Sequence, residues 1–166
     1  MWDKRKGEVL VKSLKDYSYK DIQDLKVGNL TVLEPFIVKV SQGSRFYDIV
    51  HFEDPFNFAI SEKIYTQLIE AGTTGWKNFE VIIEGKSEKY YGFQVVSRCG
   101  PLKRPEKAGF LIGMEFDHNT WDGSDFFCPM GTLSIFCTEK AKLIIEANKI
   151  NNTILSDIET LEWYSN

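Results

Sequence analysis

One phrase stands twice in this chain, at positions 77 apart. Asn57-Phe-Ala-Ile-Ser-Glu-Lys runs on through Ile64 to Gly72, and Ser134-Ile-Phe-Cys-Thr-Glu-Lys runs on through Ala141 to Asn148. Each copy reads as a short apolar strand, a hydroxyl residue (Ser61, Thr138), Glu-Lys, and a helix. The helices end in related phrases, Leu68 to Ala71 and Ile144 to Ala147, the second helix being one residue shorter. A capping Ser or Thr accepts hydrogen bonds from the first free amides, and Glu62 or Glu139 complements the positive end of the helix dipole. A period this long excludes a solenoid, whose repeats run to about 20–50 residues. A reused scaffold element accounts for the pattern better than two assembled catalytic halves.

The flanking segments complete an α+β reading: mostly antiparallel sheets, few short helices and two strand-helix-strand repeat units. At 166 residues the chain has room for a single domain, 1–166. Its repeat halves fall at about 44–99 and 108–160, with N-terminal strands in 1–43. Strands are predicted at Glu8–Lys12 and Arg45–Phe52, a short amphipathic helix or turn at Tyr19–Lys26, and, over Leu30–Leu33 and Phe36–Val40 with Pro35 between them, two short strands or one bent edge strand. Helices follow at Ser61 to Ala71, with Gly72 as stop, and at Thr138 to Asn148. Phe79–Ile83 and Tyr90–Ser97 form a hairpin across Glu84-Gly85. The charged stretch Gly100 to Lys107 is the candidate hinge. Strands at Phe110–Phe116, Phe126–Phe127 and Leu133–Cys137 are expected in the second half, and a last one near Thr153 to Ile158 after an Asn151-Asn152 turn.

Spacing decides each catalytic or ligand motif in turn. Gly85-Lys86-Ser87 resembles the end of a phosphate loop, but position 80 is Glu where that loop needs Gly, and a strand follows instead of a helix. Counting an EF-hand from Asp117 puts Trp121 at position 5 and Cys128 at position 12, so the calcium register fails. His118 has no second His nearby to complete a transition-metal site. Cys99, Cys128 and Cys137 form no CxxC and are odd in number, which reads as reduced thiols. Cys137 precedes a helix N-terminus, where a thiolate would be stabilised. Its counterpart in the first copy is Ile60, so packing is its expected role. No catalytic constellation is complete, and the chain is read as a non-enzyme without cofactor or metal. An enzyme or small-ligand module with a site assembled from distant His51, Cys99 and His118 stays open as the alternative. A scaffolding protein of a phage or secretion apparatus is a third.

Charge gives the remaining signal. The net charge is −4, and from Ala108 to Glu139 there is no Lys or Arg although the chain holds twenty. Glu115, Asp117, Asp122, Asp125 and Glu139 lie in that gap, interleaved with Phe116, Trp121, Phe126, Phe127 and Phe136. Two arrangements satisfy the pattern. Either the rings alternate into the core and the acids face water, or rings and acids together form a surface for a basic protein. The second arrangement makes Glu115, Asp117, Trp121, Asp122, Asp125 and Phe127 the partner-binding set. Trp121, Asp122 and Asp125 are the expected exposed members because Gly123 and Ser124 make a loop there. The charge balance disfavours nucleic acid as a partner. No apolar run has the length of a membrane span, and no secretory signal opens the chain, so residence in the cytoplasm is expected.

Three phrases in this order, Tyr90-Tyr-Gly-Phe-Gln-Val-Val, Trp121-Asp-Gly-Ser-Asp-Phe-Phe and Ile135-Phe-Cys-Thr-Glu-Lys before a short helix, resemble a family of bacterial immunity proteins. The family belongs to polymorphic-toxin systems, of the type first described from a myxobacterium. Asp54 to Phe58, leading into Ile60-Ser61-Glu62, is also similar to it. The resemblance spans about Val50 to Glu159 and leaves the segment up to Gly43 unmatched. It implies a cytoplasmic α+β protein that binds a cognate toxin domain and blocks it without catalysis. Its toxin-contacting surface varies, so it transfers no site residue.

Overall fold

The computed structural model of the protein describes residues 7–103, 109–150 and 152–165. The strand β1 (Leu10–Ser13) is followed by α1 (Tyr19–Lys26), β2 (Phe36–Gln42), β3 (Ile49–Phe52), β4 (Phe58–Ser61) and α2 (Glu62–Glu70). Then come β5 (Trp76–Ile83), β6 (Tyr90–Val95), β7 (Arg98–Cys99) and β8 (Gly109–Ile112), and a single 3-10 turn at His118–Thr120. The chain ends with β9 (Phe126–Pro129), β10 (Phe136–Cys137), α3 (Glu139–Ala147) and β11 (Glu162–Ser165). The protein is thus mixed α+β.

Six strands close on themselves in the order β1-β2-β5-β6-β4-β3. Closure needs two parallel contacts, β2 with β5 and β1 with β3; the other four pairings are antiparallel. Closing the sheet leaves no edge strand open to unwanted pairing. Strand alternation then sorts the side chains. Val50 and Phe52 of β3 point into the barrel with Val11, Val38, Val81 and Ile83, forming the first core. Ile49 of β3 points outward with Ile60, Phe93 and Val95, where Ile64 and Leu68 of α2 cover it. Phe126 and Cys128 of β9 join this second core from the opposite side, with Ala141 of α3. The alternate residue Phe127 faces a third core with Cys99, Phe116 and Phe136.

The two hairpin-and-helix stretches share geometry at the 77-residue offset. In β3/β4 Ile49 pairs with Ile60; in β9/β10 the positions 77 later, Phe126 and Cys137, pair. Ser61 Oγ donates to Asp48 Oδ1 over 2.7 Å, and its N–H donates to Asp48 O over 2.7 Å. Thr138 Oγ1 donates to Asp125 Oδ1 over 2.8 Å, and its N–H to Asp125 O over 2.9 Å. Each hydroxyl also caps its helix, accepting from Ile64 N or Ala141 N. Cys137 therefore packs in the second core beside Ile60. Beyond the helices the two stretches diverge. After α2 comes the long barrel strand β5, whereas the strand expected at Thr153 to Ile158 is irregular chain leading to a turn. There Asn152 is tied by its side-chain N–H₂ to Glu8 and to Ile49 O, and β11 forms later, against β8.

Other boundaries moved for identifiable reasons. Leu30–Leu33 is not a strand, because the backbone wraps the end of α1: Asn29 and Leu30 N–H both donate to Asp24 O. The side chain of Gln94 then donates to Leu25 O and Leu30 O, so these carbonyls have no need of a ladder. The strand predicted over Phe110–Phe116 stops at Ile112, since Gly113 adopts φ 82°. Of the expected hinge, Gly100 to Lys103 is ordered chain with a Leu102–Phe116 bridge, while 104–107 lie outside the described residues, as does Asn151 of the expected turn.

Two positions test this packing. Gly92 of β6 lies opposite Phe79 of β5, and a Cβ there would sit 2.0 Å from the ring. Phe79 is buried in the first core and cannot swing away. Gly92→Ala should cost about 2 kcal/mol and lower Tm by roughly 6 °C, with Phe79→Leu in the same chain recovering most of the loss. Lys26, at the end of α1, is 3% exposed with its ammonium 4.7 Å from the centre of the Phe58 ring. Burial pushes its pKa down to about 8, against the pull of Cys128 and Asp54. A lowered lysine pKa means that the unfolded chain binds more protons between about pH 8 and 10.5. Stability should therefore rise as pH climbs through that window. Lys26→Met should abolish this rise and add roughly 1–3 kcal/mol at neutral pH, read by urea unfolding at pH 7 and pH 9.5.

Candidate functional site

The 32-residue gap in basic residues has a partner that the linear sequence hides. Residues 150–166 also contain no Lys or Arg, and the fold pairs the two stretches: β8 runs antiparallel to β11. Phe110 lies opposite Tyr164 and Ile112 opposite Glu162, so all four side chains share one face of this ribbon. That face is open to solvent, with Phe110 87% exposed, Ile112 73% and Tyr164 58%. The Phe110 and Tyr164 rings meet edge to face, centroids 5.2 Å apart. The opposite face carries Leu111 and Trp163, both half-buried. Trp163 Nε1 donates to Gly113 O over 2.7 Å, and Met114 N–H to Ile158 O over 2.7 Å, which fixes the ribbon to the chain beside it. Exposed apolar side chains are thus gathered on one face of the ribbon.

The ribbon and its approach carry Glu115, Asp157, Glu159 and Glu162. Glu115 pairs with Lys103 at 2.9 Å, both largely in solvent; hydrogen bonding by Lys103 holds the Glu115 carboxyl below its ordinary value. Asp157, Glu159 and Glu162 have no ion pair among the described residues. Neither do Asp117 and Asp122 in the loop that precedes β9. Asp117 accepts from the backbone and side chain of Asn119, each at 3.0 Å, and so caps the 3-10 turn. Asp122 accepts from Ser124 N at 3.0 Å and Ser97 Oγ at 2.9 Å. Hydrogen bonding from Ser124, supported by Ser97, holds its carboxyl below its ordinary value.

The six residues expected to meet a partner divide accordingly. Glu115, Asp117 and Asp122 are exposed; Trp121 is half-buried, its ring 5.0 Å from Phe127 and its Nε1 donating to Ser124 O. Phe127 is buried in the third core between Phe116 and Phe136, which removes it from any contact set. Asp125, expected in solvent, is only 7% exposed. Its carboxylate accepts from Thr138 Oγ1, from Thr74 N at 3.0 Å and from Lys140 Nζ at 3.3 Å. Burial raises its pKa, but these three donors outweigh burial and hold it below the ordinary value. It is a structural clamp. Phe110, Ile112, Glu162 and Tyr164 escaped sequence reasoning. The C-terminal run free of Lys and Arg was the signal that could have found them.

The residues of the alternative site are dispersed. His51 sits on β3 with its Nε2 3.8 Å from Glu8 and its ring beside Phe58. Cys99 lies in the third core, and His118 rests on Phe116 of that core at 4.5 Å between ring centres. Burial raises the pKa of all three thiols, Cys99, Cys128 and Cys137, which disfavours the nucleophilic thiolate. Among the described residues no group of three or more His, Cys, Asp and Glu side chains could hold a metal ion. No helix among them is long and apolar enough to cross a membrane. Neither family models nor curated protein sequences yield a match to this chain.

Proposed function

We propose that this chain is a non-enzymatic immunity protein of the cytoplasm that binds a cognate bacterial toxin domain and blocks it by occlusion. One observation carries the choice of surface: Phe110, Ile112 and Tyr164 stand exposed on a two-stranded ribbon whose acids outnumber its bases. Aromatic side chains anchor protein interfaces, and a field of one sign steers a partner of the other. The partner is then a basic protein surface. Where the toxin acts on nucleic acid, Asp117, Asp122, Glu159 and Glu162 stand in for the phosphates it would otherwise hold. The resemblance over Val50 to Glu159 supports the same reading.

In this reading the two hairpin-and-helix stretches are copies of one module. Asp48 with Ser61 and Asp125 with Thr138 are equivalent clamps, and the copies pack face to face through the second core. The duplicated module is the rigid part, and the ribbon is the variable part carried on it.

The test is co-expression with bacterial toxin domains, beginning with any that the adjoining reading frames encode. The wild-type chain should restore growth, and the purified pair should form a complex. Reversing Asp117 and Glu162 to lysine should slow association about tenfold at low salt and flatten its salt dependence. Association unchanged by that double reversal would remove the ribbon and its acidic loop from the interface.

A further inference from the structure

The second core is not filled. Between the two hairpin-and-helix units lies a cavity of about 220 Å³, walled by Ile49, Ile60 and Leu68 from the first unit and Phe126, Cys137 and Ile145 from the second. The wall is almost wholly apolar, and Ile150 and Thr153 to Leu155 line one side of it. Cys137 stands where the first unit has Ile60, so part of the volume is the difference between a thiol and a branched side chain. Thr153 supplies a polar point: it lines the cavity, and its Oγ1 is buried without a hydrogen-bond partner among the described residues. A buried hydroxyl left unpaired costs about 1–3 kcal/mol, and a ligand able to pair with it would recover that cost.

Size and lining define the ligand. An apolar cavity of about 150 Å³ stays dry and accepts benzene, so this one takes a single ring with a short substituent. His51, whose Nε2 lies 3.8 Å from Glu8, is the ionisable imidazole in this wall; the other lining side chains offer no charge to a carboxylate or an ammonium, so an uncharged ligand fits the lining best. We propose that this cavity is a binding site for small uncharged monocyclic phenols, the ring lying between the two units and the hydroxyl pairing with Thr153 after rotation about its χ1. The site shares no residue with the ribbon face, so it goes beyond the toxin-binding reading and stands or falls separately.

p-Cresol and toluene serve as probes, monitored by calorimetry and by methyl NMR on the whole protein. The wild type should bind both saturably, p-cresol about fivefold more tightly, that factor being one neutral hydrogen bond. Intermolecular NOEs should run from the ring to the methyl groups of Leu68 and Ile145. Thr153→Val should reduce the preference to about one while leaving toluene binding unchanged. Cys137→Leu should fill the space, abolish binding of both probes and leave Tm equal or higher. Failure of both probes to saturate the wild type, NOEs to other methyls, or a p-cresol preference that survives Thr153→Val would each overturn the proposal. The wild-type NOEs decide the matter even if Cys137→Leu does not fold.

Discussion

Asp125→Ala should destabilise the protein by about 3 kcal/mol, the largest single effect expected outside the hydrophobic cores. The carboxylate joins three elements at once: the chain after α2 through Thr74, the cap of α3 through Thr138, and α3 itself through Lys140. Removing it leaves the Thr74 N–H and the Thr138 hydroxyl without their acceptor and frees Lys140 from its pair. Asp125→Asn should cost less, about 2 kcal/mol, because one oxygen remains. Asp48→Ala is the control. Asp48 is only half-buried and among the described residues its side chain accepts from Ser61 alone, so about 1 kcal/mol is expected. The acid limb of stability follows the same logic. The folded pKa of Asp125 lies below its ordinary value of 3.8, so its contribution is complete above that value. It disappears as pH falls through the lower folded value, and Asp125→Ala should flatten that limb. Urea unfolding at pH 7 and at steps down to pH 3 measures both effects.

The other large effect concerns binding rather than folding. Phe110→Ser together with Tyr164→Ser should weaken the complex with the toxin domain at least 100-fold, each ring being an interface anchor of about 2 kcal/mol or more. Both side chains stand in solvent, so Tm should change by no more than roughly 4 °C. That contrast separates the two parts of the molecule: Asp125 variants lose stability and Phe110/Tyr164 variants lose the partner.

Local order was legible wherever chemistry between near neighbours decides it. Ser61 and Thr138 announce two helices because a capping hydroxyl and the amides it serves are three residues apart. The β5/β6 hairpin followed from two β-rich runs around Gly85, which adopts φ 75°. Barrel closure was not legible. It depends on parallel contacts between β1 and β3 and between β2 and β5, each pairing residues about 40 positions apart with no turn to signal them. Asp125 was placed in solvent for a related reason. Gly123 and Ser124 do make a loop, but the donors that bury its carboxylate stand at Thr74, Thr138 and Lys140. For the surface, the acidic gap from 108 to 139 drew attention to Trp121 and Phe127 instead of the exposed rings of the ribbon. Phe127 alternates inward on β9, whereas Phe110 became visible only once β11 was paired with β8.

Titration of the purified protein with a toxin domain whose toxicity it suppresses in co-expression, wild type against Phe110→Ser/Tyr164→Ser, measures the ribbon's role without intermediaries. A sub-micromolar complex for the wild type and a loss of at least about 100-fold in the double variant is the expected result. Equal affinity for the two proteins, or no complex with the wild type, would contradict it.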